Sequence, residues 1–288
     1  MKITLRKQST FSDYISVLKP VETSLLTFIG ICSAIIAASG YPSAKAFFLI
    51  LIVIVLGSAG SNGLTNYLDR EVDAKMARTA NRALPSGRIV PPQKVLPLII
   101  GLLVTALALA WVLHPLCFLF GLIGVIASAI WRKTISCTFL GMVAGCSPVL
   151  IGWFALRPEF DITILLLCLL VAIWTPIHVW SVMIANREDY LGAGLNYFPL
   201  SWQVKDMVKI LFGLSIILYI FSILIYFAAD LRLLYLIMSN ILGILMLYAN
   251  AHLLFSTTSI AAWRVYKLSA FPYLGIIFLT MCLDIWLM

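Results

Sequence analysis

Long apolar runs separated by short polar segments dominate the chain. Nine such runs lie near 22–40, 46–66, 95–113, 115–131, 137–156, 162–184, 208–228, 232–255 and 270–288. A helix that crosses a bilayer needs ~20 apolar residues. The pattern therefore predicts an all-α fold, a polytopic membrane bundle of about nine transmembrane helices. Pro148 and Pro176 fall inside runs, which membrane helices tolerate because neighbours satisfy the freed backbone groups. Ahead of the first run, Phe11, Tyr14, Ile15 and Leu18 recur at helical spacing beside Lys19. They predict a short interfacial helix within residues 1–20 that leads into Pro20. A single integral-membrane domain over 1–288 is expected, with no room for a second soluble one.

Composition narrows the class further. Apolar residues make up 62% and charged residues 11%, against about 45–50% and 25% in soluble domains. These figures exclude a soluble globule, a disordered chain and a disulfide-stapled mini-protein. The six cysteines are scattered without a CxxC pair, and read as small core residues. The first 20 residues lack the apolar core of a cleaved signal peptide, and no Arg/Ser-rich transit pattern is evident. A prokaryotic cell membrane is the expected location.

The net charge of +8 is mostly a statement about orientation. With the N-terminus in the cytoplasm, 17 of the 20 Lys and Arg fall inside, and only Lys45, Arg157 and Arg232 fall outside. Such asymmetry predicts N-in, C-out. The cytoplasmic loops 67–94 and 185–207 then hold the remaining charge, free for an anionic ligand.

The first of these loops follows a polar stripe. At about 100° per residue, Asn62, Asn66, Asp69 and Asp73 lie within about 60° of one another on a helix, and Glu71 points away. Carboxylates at a membrane helix end are costly unless they face a cavity, a partner or a cation. Oxygen donors at this spacing suit Mg²⁺, which commonly bridges carboxylates to substrate phosphates. Lys75, Arg78, Arg82 and Arg88 come next, as a polyanion such as diphosphate requires.

A second cluster ends the sixth run: Pro176-Ile177-His178-Val179-Trp180, then Asn186-Arg187-Glu188-Asp189-Tyr190. If the helix continues past Ala185, then His178, Ser181, Ala185 and Asp189 share a face, with His178 ~16 Å deeper. Asp189 would then be a second metal-capable group at the surface. Arg132 and Lys133 form a third basic point.

The segment from Asn66 to Asp73, followed by Arg78-Thr79 and Asn81-Arg82-Ala83-Leu84-Pro85-Ser86-Gly87-Arg88, resembles the first acidic motif of the UbiA prenyltransferase superfamily. Pro176 to Trp180 and Glu188 to Gly194 are similar to two further elements of its branch that farnesylates protohaem IX. Thr65, Val179 and Asn196-Tyr197 depart from that branch's pattern. The resemblance implies a cavity open to cytoplasm and lipid, in which Asp69 and Asp73, aided by Asn62 and Asn66, hold Mg²⁺ and farnesyl diphosphate. It implies a second Mg²⁺ on Asp189, with Glu188 and Asn186, and neutralisation of diphosphate by Arg78, Arg82 and Lys133. Lys75, Arg88, Arg132, Arg187, Tyr190 and Trp180 join the implied substrate-binding set. Asp69, Asp73, Asp189 and His178 would be catalytic. The implied reaction adds the farnesyl group, with water, to a vinyl group of haem B, giving haem O and diphosphate. Implied partners are the lipid bilayer and a haem A synthase or haem-copper oxidase assembly; no nucleic acid is expected. His178 is left open between ligating the iron, contacting a propionate and orienting the ring. Two alternatives remain: a related prenyltransferase acting on an aromatic acid, a quinone precursor or a glyceryl phosphate, and a cation transporter using the same acids.

Overall fold

The computed structural model describes residues 9–130 and 137–287, so Arg132 and Lys133 lie outside the described residues. In chain order the helices are α1 (Phe11–Val17), α2 (Pro20–Ala37), α3 (Ala44–Asp73), α4 (Leu96–Leu113), α5 (Pro115–Ile130), α6 (Cys137–Phe154), α7 (Ile162–Ala185), α8 (Arg187–Gly192), α9 (Val204–Ala228), α10 (Leu233–Ser256), α11 (Ser259–Leu268) and α12 (Ile276–Trp286). The described residues contain no strand. Among the described residues, eight helical segments are long and apolar enough to cross a membrane. The fourth predicted span, α5, has 16 residues and falls short of that measure. It nonetheless packs between α4 and α6. At 1.5 Å per residue it spans ~24 Å, against ~30 Å of hydrocarbon.

Local chemistry fixes the helix ends. α2 starts on Pro20, whose missing N–H is harmless in a first turn. Ser43 caps α3, accepting from the Ala46 N–H at 3.3 Å. One Asp161 carboxylate oxygen caps α7, accepting from Thr163 and Ile164 at 2.9 and 3.1 Å. The predicted interfacial helix is α1, where Thr10 and Asp13 form a reciprocal capping box. Its Phe11 and Ile15 are exposed.

Asp13 also accepts from Arg88 Nε at 2.7 Å, tying α1 to the loop after α3. The Thr10 backbone N–H and the Arg88 guanidinium hold its carboxyl down at about 2, from an ordinary 3.8. A depressed carboxyl stabilises the fold fully above its ordinary range and loses that effect as pH falls through about 2. The protection of amides over residues 11–17, measured against their intrinsic exchange rates, should thus be constant above about pH 4 and fall, relative to the core, as acid approaches pH 2. Asp13→Asn should show the lower protection already at neutral pH. Identical exchange in the variant would contradict this tie.

The last span departs from the sequence pattern. The apolar run near 270–288 is preceded by a helix beginning at Ser259, not by a loop. This α11 is amphipathic and packs on α7 and α10. Between α11 and α12 lies a π turn, Ser269–Gly275, where Ala270 leaves helical geometry (ψ −137°). Pro272 accounts for the break, since it removes an N–H and crowds the preceding turn.

The helices form a ring: neighbours in sequence pack from α2 to α7, α9 follows α7, and α12 returns to α2. Across the ring, α2 and α6 approach backbone to backbone at Gly30 and Gly152. Ser33 there donates to the Val149 carbonyl at 2.8 Å. Small residues at crossings are how membrane helices gain van der Waals contact. Large apolar side chains such as Trp111, Val112, Phe139, Phe227 and Tyr248 face outward, as lipid requires.

Candidate active site

α3 stays helical through Asp73, so the polar stripe read from the sequence is realised. Asn66, Asp69 and Asp73 are buried in the wall of a cavity of about 340 Å³, and Asn62 also lines it. Glu71, on the opposite face, is exposed and pairs with Arg70. Asn62 donates to Thr23 at 3.0 Å and Asn66 donates to the Val17 carbonyl at 2.7 Å. Both amides thereby keep their oxygens for other partners. One of those oxygens is already used: Arg82 donates to Asn66 Oδ1 at 3.4 Å and to Asp73 Oδ2 at 3.1 Å. The loop after α3 folds back in turns, with Thr79 donating to the Asp73 carbonyl at 2.9 Å, and so brings Arg78 and Arg82 to the cavity rim.

The cavity changes character with depth. Its polar end holds the α3 acids, Arg78, Arg82, Lys19 and Tyr190. Its other parts are lined by Leu25, Ile54, Ala106, Leu107, Gly121 and Ile151. On the α7 and α11 side stand Trp174, His178 and Tyr266. His178 stacks on Trp174 and Tyr266, with centroids 4.8 and 4.6 Å apart, and its Nδ1 lies 2.9 Å from Ser269 Oγ. Carboxylates one turn apart beside an amide oxygen are hard oxygen donors suited to Mg²⁺. Buried carboxylates at a membrane helix end need a counter-charge, and Arg82 supplies one to Asp73.

The second cluster is arranged differently from the sequence reading. α7 ends at Ala185 and the chain breaks at Asn186 (φ −121°, ψ 29°), so the face carrying His178 does not continue to Asp189. Asn186 makes the break by donating its side-chain N–H to the Val182 carbonyl at 2.8 Å. α8 turns Asp189 toward the loop after α3, where it accepts from the main-chain N–H groups of Ala77 and Arg78 at 2.6 and 3.2 Å. Asp189 therefore fixes the loop that carries Arg78. Arg78 in turn reaches the Tyr190 hydroxyl at 3.4 Å. Burial pushes the Tyr190 phenol up, against the opposing effect of Arg78, so it remains a hydroxyl.

Seven other candidates do not meet at the cavity. Lys75 and Glu188 are exposed. Arg88 is held by Asp13. Arg187 donates to the Trp202 carbonyl at 3.0 Å, and Trp180 is buried and donates to Thr138 at 2.8 Å. Asn186 and Asp189 hold backbone as described. Conversely, Lys19, Tyr197, Tyr266 and Ser269 carry no site role in the sequence reading. Lys19 lines the cavity at the left-handed N-cap of α2 (φ 49°). Burial and nearby Arg82 push its ammonium below the ordinary value, with Glu22, Asp73 and Asp69 acting the other way. In the sequence it counts only as one more cation ahead of a span.

A model of the UbiA prenyltransferase family matches residues 24–274. A Desulforudis audaxviator protein named "Protoheme IX farnesyltransferase" is 34% identical, over 97% of this chain and 90% of that protein. A protein of the same name from Photobacterium profundum is 30% identical, over 98% of this chain and 90% of that one. Among solved structures, one of a digeranylgeranylglyceryl phosphate synthase matches with a TM-score of 0.75 at 21% identity, covering 96% of this chain and 99% of the other. A UbiA homologue from Archaeoglobus fulgidus bound to GPP and Mg²⁺ matches at 0.65 with 18% identity, covering 93% and 99%. These two structures share the fold.

Proposed function

We infer the function from one premise: this chain belongs to the UbiA prenyltransferase family. It is an integral membrane prenyltransferase. We propose that it moves a farnesyl group from farnesyl diphosphate to a vinyl group of protohaem IX, adding water, to give haem O and diphosphate. One observation carries this reading: a single cavity joins paired acids and arginines to an apolar interior with an imidazole in its wall. The names of the relatives support the acceptor.

In this reading Asp69 and Asp73 hold Mg²⁺, with the Asn66 oxygen beside them. When bound, the ion supplies Lewis-acid neutralisation of the leaving diphosphate. Arg78 and Arg82 take diphosphate oxygens, and Asp189 keeps the Arg78 backbone in place. Such preorganised charge assists C–O ionisation by several kcal/mol. The prenyl chain lies along Leu25, Ile54, Leu107 and Ile151, which exclude water from the allylic cation. Trp174 and Tyr266 offer it aromatic faces. The vinyl group forms a bond to the farnesyl carbon as its C–O bond to diphosphate breaks, water adds to the resulting cation and gives up a proton to the released diphosphate, and a hydroxyethylfarnesyl side chain remains. The positive-inside asymmetry supports placing the acidic end at the cytoplasmic face of a prokaryotic plasma membrane. A cation transporter is the poorer reading, because the two arginines at the rim, Arg78 and Arg82, suit an anionic ligand beside the acids and oppose a cation path.

The test is reconstitution. Purified protein in lipid, given farnesyl diphosphate, haem B and Mg²⁺, should release diphosphate and alkylated haem in equal amounts. Chelation should stop both. Diphosphate release with unaltered haem would overturn the acceptor, and alkylation that survives chelation would overturn the metal.

A further inference from the structure

Ser269 sits where the π turn begins, fully buried, and its groups face two ways. Its carbonyl accepts from the indole N–H of Trp174. Its hydroxyl lies 2.9 Å from His178 Nδ1 and 2.9 Å from the Tyr266 carbonyl. A serine hydroxyl has one hydrogen to give. Were that hydrogen spent on His178, two lone-pair oxygens would face each other at 2.9 Å with nothing between them. The hydrogen therefore goes to the Tyr266 carbonyl, and Ser269 Oγ accepts from His178. A neutral imidazole with its proton on Nδ1 carries its lone pair on Nε2. Nε2 has no hydrogen-bond partner among the described residues, while the ring lines the cavity.

We propose that Ser269 is a positioning residue that fixes His178 as the Nδ1–H tautomer, leaving Nε2 as a lone-pair donor to the iron of a porphyrin acceptor. The iron part rests on the function proposed above; the tautomer part does not. This arrangement is the usual support for a metal-binding imidazole: the far nitrogen is held so that the near one is bare and aimed. It also excludes a role in which neutral His178 donates from Nε2 to a propionate. Stacking on Trp174 and Tyr266 fixes the ring plane, and the same π turn sets both contacts of Ser269. The break at Ala270 thus has a use, which is to point one residue's hydroxyl and carbonyl at successive turns of α7.

Nitrogen NMR of the full chain in lipid, labelled at its three histidines, reads the tautomer directly. The His178 signals are those lost in His178→Ala. The expected spectrum has a protonated Nδ1 and a bare Nε2. Ser269→Ala should mix the tautomers, and Ser269→Thr, which keeps the hydroxyl, should not. A protonated Nε2 at His178 in the unaltered protein overturns the proposal even if neither Ser269 variant folds, and so does an unchanged tautomer in Ser269→Ala. Binding of haem B and of iron-free protoporphyrin IX separates the iron part. Ser269→Ala should weaken haem B about 10-fold and leave the iron-free ring unaffected. Equal weakening of both would overturn the role toward iron. If neither porphyrin binds the unaltered protein, the acceptor reading and the iron role fail together, and the tautomer result still stands on its own.

Discussion

Asparagine in place of Asp73 is expected to slow diphosphate release about 100- to 1,000-fold. Asp73 is 2% exposed, one turn from Asp69, and pairs with Arg82 at 3.1 Å. Asparagine keeps the volume and one acceptor oxygen, so Arg82, itself part exposed, retains a partner and solvent. What disappears is one negative charge on a cation site in a place of low dielectric, where charge counts most. Asp69→Asn should behave alike, because both acids share one wall. Arg82→Ala should do less damage, since Arg78 remains at the rim. A phosphate-release assay at saturating Mg²⁺, with the thermal midpoint measured in parallel, decides it. Unchanged turnover in a folded Asp73→Asn protein would remove α3 from the chemistry.

The second large effect is on folding. A Cβ built on Gly152 would stand 2.0 Å from the Gly30 carbonyl oxygen and 3.1 Å from the Ala34 nitrogen. Both are backbone atoms in a packed helix, so no side-chain rotation relieves the clash. Gly152→Ala must push α6 off α2 and break the Ser33 bond to the Val149 carbonyl. Overpacking of this kind costs about 1–3 kcal/mol or more. The expected result is a thermal midpoint lower by several degrees and a poor folded yield. Gly101→Ala and Gly213→Ala are the controls, since nothing lies within 4 Å of either added carbon. Equal effects at all three positions would show that helix crossing is not the cause.

How much of this could be read from the sequence depends on whether the signal was local. Eight spans and the short α5 follow apolar runs, because lipid demands an unbroken apolar surface and an internally bonded backbone. The stripe from Asn62 to Asp73 was legible for the same reason: α3 is regular, so spacing alone sets the face. Asp189 was legible as a residue of interest but not in its geometry. The break at Asn186 comes from a side chain turning back onto Val182, which periodicity does not reveal. The helix from Ser259 to Leu268 was hidden because its mixed surface looks like a loop when read for apolarity alone. Ser269 and Lys19 were hidden more deeply. Their importance lies in partners far along the chain: α7 for Ser269, and α3 and its loop for Lys19.

The account's central claim is that the acids at the end of α3 and the imidazole of α7 serve one reaction, farnesyl transfer to haem. Its most direct test is extraction and chromatography of haems from cells that express this chain and otherwise make only haem B. The account predicts a new, more apolar haem whose mass exceeds that of haem B by one farnesyl group and one hydroxyl. It predicts that the same cells carrying Asp73→Asn lack it. Haem B alone, beside a working control synthase and with the protein present in the membrane, would contradict the account.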